Sequence, residues 1–138
     1  MAAFVPVSVD KVQSKEWLSA HFQKDVKDVT VIDMSGAGGM IAVMKKLVVE
    51  FEDNESISVI LKAMGPGGLD NSKSLGLPRE CMFYHTMAPT LDVAIPKMYF
   101  AHGDMATGEK VMLLEDLSAG IQSGYFFGPH SCLNWGKD

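Results

Sequence analysis

Two charged residues stand out by where they fall. Lys62 interrupts the aliphatic run SISVILKAM, residues 56 to 64, and Glu80 lies eighteen positions further on, in RECMFYHTM. A lysine ammonium is a point charge on a flexible stem, so it acts at a defined place only when a partner aims it, and a facing carboxylate would do so. Gly36-Ala37-Gly38-Gly39 offers a second kind of chemistry: glycine has no Cβ, so backbone amides can come close to a bound group. His102-Gly103-Asp104 offers a third, since an aspartate can act as a general base toward a hydroxyl. Each also has a plain structural reading. Lysine on a strand can discourage edge pairing or lie along a wet sheet face, glycine loops close ordinary hairpins, and an acid in the first turn of a helix suits the helix dipole.

The elements that must position these residues are legible from hydrophobic period. Residues 8 to 24, SVDKVQSKEWLSAHFQK, predict one short amphipathic helix, with Ser8 or Asp10 as its N-cap and Leu18 and Phe22 on its apolar face beside Trp17. From Val29 the pattern becomes extended: VTVIDM, the glycine-rich SGAGGM, then IAVMKKLVVEFED, where Leu47, Val49 and Phe51 alternate with Lys46, Val48 and Glu50. Two antiparallel strands joined by the glycine loop follow from this. After the polar turn Asp53-Asn54-Glu55, a third strand places Ile57, Val59 and Leu61 on one face and Ser58, Ile60 and Lys62 on the other.

The segment GPGGLDNSKSLG reads as flexible and leads into Leu77-Pro78, where proline suits the first turn of a helix. That helix, RECMFYHTM, is expected to close before Ala88-Pro89 and to turn Glu80, Phe83 and Met87 to one side. IPKMYFAHGD and EKVMLLEDL predict two further strands around a turn at MATG. The last stretch, SAGIQSGYFFGPHSCLNWGKD, has no convincing period.

Composition excludes several function classes. The 138 residues suit one domain, and 47% hydrophobic with 21% charged residues reads as globular. Lys and Arg number 12 against 17 Asp and Glu, a net charge of −5, without a basic stripe, so nucleic acid is not an expected partner. Cys81 and Cys132 form neither a zinc spacing nor a disulfide framework and are expected as reduced thiols. No run of 18 apolar residues and no signal-like N-terminus is present, so no membrane is expected and a cytoplasmic protein is. The ten methionines are read as core filling.

The order of helix, strand, glycine loop, strand, Lys62 strand, Glu80 helix, strand and Glu115-Asp116-Leu117 strand resembles the small lobe of the kinase-like fold. More narrowly it looks like the branch of aminoglycoside phosphotransferases, choline kinases and ecdysteroid kinase-like proteins, and the resemblance covers roughly residues 8 to 138, most specifically through ILK, RECMFYHTMAP, VMLLEDL, YFFGP and NWGKD. The resemblance implies an α+β domain, a five-stranded antiparallel sheet with a covering helix and an N-terminal helix, over residues 1 to 117. Residues 118 to 138 would be the hinge and the start of a large lobe that the chain lacks. It further implies ATP as cofactor, with magnesium only once a large lobe is supplied, and a hydroxyl on a small molecule as acceptor. Gly36, Gly38 and Gly39 would cover the nucleotide's phosphates, Lys62 would contact them and Glu80 would hold Lys62. Ile60 would pack on adenine, Leu114 would line the pocket behind it, and the backbone at Glu115 and Leu117 would meet the adenine edge.

His102-Gly103-Asp104 does not fit the catalytic loop of that branch. The loop carries Asn five positions beyond its aspartate, whereas position 109 is Glu, and the triplet precedes Glu115 to Leu117 where the loop would follow it. GDMATGEK between two apolar strands is what a polar turn requires, so Asp104 is expected in a turn. With no other such loop and no metal motif after Leu117, neither catalytic nor metal-binding residues are assigned, and the chain is not expected to turn over alone. Two rivals stand beside this reading. One is a pseudokinase-like interaction module that uses the exposed lobe face to bind a partner or itself. The other is an α+β domain with an ordinary hydrophobic pocket, in which Lys62 would lie away from Glu80.

Overall fold

Apolar side chains at every second position of three consecutive segments set the architecture. A computed structural model describes residues 8–34 and 42–118, and these form an α+β domain around one sheet. Its strands are β1 (Val26–Asp33), β2 (Ala42–Phe51), β3 (Ser56–Met64), β4 (Met98–Gly103) and β5 (Lys110–Glu115). All neighbours are antiparallel, in the order β1-β2-β3-β5-β4. β5 therefore inserts between β3 and β4, and the chain between β3 and β4 is free to build helices over the sheet.

The alternation in β2 and β3 sorts their side chains as expected. Leu47, Val49, Phe51, Val59, Leu61 and Ala63 are buried on one face, joined from β5 by Val111 and Leu113. Helices α1 (Val9–Val12) and α2 (Lys15–Phe22) cover this face with Val12 and Leu18, both fully buried. Trp17 stacks on His21 with ring centres 4.8 Å apart and meets the Phe100 edge at 5.0 Å, so α2 reaches from β1 across to β4.

The single helix expected over residues 8 to 24 is two. Ser8 caps α1 by accepting from the Lys11 amide, and Ser14 caps α2 by accepting from the Trp17 amide. The Ser14 hydroxyl also donates to the Lys11 carbonyl at 2.7 Å, so one serine ends the first helix and starts the second. β1 begins at Val26 rather than Val29, because Val26 pairs with Phe51 and is buried despite the charged Lys27-Asp28 that follow it.

The segment read as flexible is ordered as helix. A 3₁₀ turn at Pro66–Gly68 leads into α3 (Leu69–Leu75), which ends at Gly76 in the left-handed conformation, φ 66°. There the amides of Gly76 and Leu77 bond back to the carbonyls of Lys73 and Ser72, satisfying the last turn. The covering helix α4 (Arg79–Met82) also runs further than expected. It widens into a π-helical turn at Phe83–Met87 and tightens to 3₁₀ at Ala88–Thr90, passing the proline instead of stopping before it. Pro89 has no N–H and its ring would crowd the carbonyl four residues back, and the widened turn precedes it directly. This change of pitch breaks the expected common side: Glu80 faces the sheet, whereas Met87 is 55% exposed. Cys81 and Tyr84 pack instead on Ala101, Met112 and Leu114 of the second face.

Candidate functional site

β3 carries Lys62 on the face opposite the main core, opposite Met44 on β2 and Met112 on β5. α4 crosses that face, and its first turn brings Glu80 to Lys62: the ammonium donates to both carboxylate oxygens, each at 2.9 Å. A second lysine joins them. Lys110, first residue of β5, donates to Glu80 Oε2, and its side chain is only 4% exposed. Two lysines on one carboxylate leave one unit of positive charge in excess on this part of the sheet. Burial would raise the Glu80 carboxyl, but the hydrogen bonds and charge of Lys110 and Lys62 outweigh it and hold the group below its ordinary value.

Local geometry explains why α4 lies where Glu80 can make these contacts. A Cβ on Gly103 would come within 3.0 Å of Cys81 and of the Pro78 carbonyl, so glycine at this end of β4 lets the helix start close against the sheet. Gly108, at φ 82°, is more tightly constrained: a Cβ there would lie 2.3 Å from the Leu69 carbonyl, and Ser72 donates to the Gly108 carbonyl at 2.6 Å. α3 is thereby fixed on the β4–β5 turn, which in turn fixes the Gly76–Pro78 lead into α4. Burial pushes the Cys81 thiol up to about 11, which leaves it protonated and inert at neutral pH.

The same observations place His102-Gly103-Asp104. His102 and Gly103 end β4, and Asp104 lies in the turn, where its carboxylate accepts from the Ala106 amide at 2.8 Å and its carbonyl from the Gly108 amide at 2.8 Å. Its amide donates to the Glu109 carbonyl at 2.9 Å. Asp104 closes a turn, as its neighbours in sequence imply.

Ile60 and Leu114 are cross-strand partners two register positions along from Lys62 and Met112, on the same face. Glu115 donates its amide to the Lys97 carbonyl at 2.8 Å and accepts from the Lys97 amide through its side chain. Leu117 follows β5 and is half-buried. Gly36, Gly38 and Gly39 lie outside the described residues, as does the stretch from 119 to 138. Of these residues Ile60, Lys62 and Leu114 share one face of β3 and β5 and Glu80 meets it from α4, whereas Glu115 alternates to the other face opposite Val59 and Leu117 lies past the end of β5.

Sequence reasoning missed two members of this constellation. Lys110 shares its face with Met112 and Leu114 but opens β5 directly after Glu109, so nothing local set it apart as the aliphatic run sets Lys62 apart. Asp116 was seen only as part of LLEDL. Its side chain, 5% exposed, accepts from the Ser58 hydroxyl at 2.6 Å, the Lys46 ammonium at 3.0 Å and the Ser118 amide at 3.0 Å. Bonds from Ser118 and Ser58 in particular hold its carboxyl far below the usual range. Asp116 ties the segment between Glu115 and Leu117 to β3 and β2.

Among the described residues no group of three or more His, Cys, Asp or Glu side chains is arranged to hold a metal ion, and no helix is long and apolar enough to cross a membrane. A polar hollow of about 240 Å³ lies by the β2–β3 turn, lined by Lys27, Glu50, Asn54 and Glu55 among others, away from Lys62. Comparison of the chain with models of known families, with curated proteins and with solved structures finds no match.

Proposed function

We propose that this chain is the nucleotide-binding small lobe of a kinase-like, ATP-dependent small-molecule phosphotransferase, and that alone it binds ATP weakly without transferring phosphate. The observation that carries the reading is the bidentate Lys62–Glu80 pair, formed between the central strand β3 and the first turn of the helix that crosses it. An ammonium so oriented, in a region with excess positive charge, suits the phosphates of a nucleotide. Ile60 and Leu114 offer apolar surface for a base two residue pairs away on the same face, and Asp116 steadies the backbone from Glu115 to Leu117 that would bond its edge. Asp104, engaged in its turn, and Glu109 supply neither the base nor the metal ligand of the transfer step.

Titration with magnesium–ATP followed by amide NMR tests the reading. Shifts are expected at Ile60, Lys62, Leu114 and Leu117; shifts confined to the hollow around Lys27 and Glu50 would overturn it. The ordinary-pocket alternative predicts Lys62 apart from Glu80, and the pair counts against it. One observation favours a second reading, an interaction module: Met82, Met87, Leu91 and Val93, on α4 and the loop after it, are 43 to 60% exposed. Self-association that rises with concentration in sedimentation, and is reduced by Met87→Lys, would support that reading; a monomer at all concentrations would count against a self-associating module.

A further inference from the structure

Glu80 has two lysine partners that differ in access. Lys62 is 29% exposed and donates to both carboxylate oxygens, while Lys110 is 4% exposed and donates to Oε2. A dissolved anion can therefore reach Lys62 but not Lys110. Lys62 spends two of its three N–H donors on Glu80, so it can offer that anion one donor while the pair holds and more only by loosening its hold on Glu80. Were Lys62 the only cation present, this would strand a half-buried carboxylate, and an unpaired charge in such a place is strongly unfavourable. Lys110 removes the difficulty, because it comes from a different strand, is enclosed beneath α4, and stays bonded whatever Lys62 does.

We propose that Lys110 is a positioning residue: it keeps Glu80 and the first turn of α4 in place while Lys62 turns to an oxyanion ligand, a phosphate group in the nucleotide reading on which this rests. Lys110 never touches the ligand. Its effect passes through Glu80, so its removal weakens anion binding even though the binding ammonium remains. The other titratable groups coupled to Glu80 are Cys81 and Tyr84, and both are uncharged through the acid range, so the carboxyl reports chiefly on the two lysines.

Carbon NMR of the Glu80 carboxyl across the acid range, in the unaltered chain, Lys62→Met and Lys110→Met, tests this, with inorganic triphosphate as the binding probe. In Lys62→Met the carboxyl should still titrate below the ordinary glutamate value, held by Lys110; in Lys110→Met it should rise. Triphosphate affinity in Lys110→Met should fall about tenfold, the equivalent of ~1.4 kcal/mol. A Glu80 that rises to the ordinary value in Lys62→Met overturns the inference, as does triphosphate affinity unchanged by Lys110→Met or absent from the unaltered chain. Should Lys110→Met fail to fold, the titration in Lys62→Met decides, and Lys110→Arg, which keeps the charge, should retain triphosphate binding. Lys62-dependent ATP binding that ignores Lys110→Met sinks this inference alone. Triphosphate binding that depends on Lys110 and that ATP does not displace sinks the nucleotide reading alone.

Discussion

The two faces of the sheet are built from alternate residues of the same strands, yet they do different work. On one, Leu47, Val49, Val59, Leu61, Val111 and Leu113 close against Val12 and Leu18 in an apolar layer. On the other, Lys46, Ser58, Lys62 and Lys110 meet Glu80 and Asp116, with a smaller apolar group formed by Cys81, Ala101, Met112 and Leu114. A strand of period two can thus anchor a fold with its odd residues and present charge with its even ones. The division works because burial of apolar area dominates stability, while the partly exposed Lys62 contributes little to it.

Substitutions on the two faces should separate accordingly. The largest effect is expected from Leu61→Ala, which empties a fully buried site on the apolar face. It should destabilise the fold by about 2 to 5 kcal/mol in urea titration, with nucleotide affinity per folded molecule unchanged. Loss of affinity in the folded fraction would break the division between faces.

Asp116→Ala should come next. It removes the acceptor of three hydrogen bonds, two of them from β3 and β2, and is expected to cost about 2 kcal/mol in the same titration. Unlike Leu61→Ala, it should also weaken ATP binding more than triphosphate binding, because the segment it steadies is the one read as meeting the base.

The polar face should also govern acid stability. Glu80 and Asp116 both have folded-state values below their ordinary ones, so each contributes stability that is fully present above the unfolded values, about 4, and is lost as pH falls through the folded values. Urea midpoints should therefore drop below about pH 4, and Asp116→Asn should flatten that dependence while leaving Leu61→Ala parallel to the unaltered chain. A smaller effect concerns the thiol beneath α4. With its value raised to about 11 by burial, Cys81 should resist alkylation at pH 8 in a Cys132→Ser chain until urea exposes it. Rapid labelling of the folded protein would show that α4 opens readily from the sheet.

Much of this was legible in the sequence because apolar residues recur at every second position from Leu47 to Phe51 and from Ile57 to Ala63, which fixes the buried face and puts Lys62 on the other. The pairing with Glu80 followed from one helix and one strand, and the turn at Asp104 from local composition. α3 was not legible: Leu69–Leu75 reads LDNSKSL, with one buried polar residue, Ser72, and no apolar stripe, and it is fixed by contact with Gly108 rather than by propensity. The pitch of α4 past Met82 was equally hidden, since it depends on contacts with β4 such as that between the His85 ring and the Ala101 carbonyl. Lys110 and Asp116 needed the strand order, because nothing local says that β5 lies beside β3.

Lys62→Met should have the smallest effect on stability, under about 1 kcal/mol, since Glu80 keeps Lys110. That makes it the variant on which the central claim rests. Calorimetry of magnesium–ATP binding to the unaltered chain and to Lys62→Met, with phosphoryl transfer assayed in the same samples, is the most direct test. The account predicts weak binding that disappears with Lys62 and no turnover; equal affinity in both proteins, or no binding by either, would contradict it.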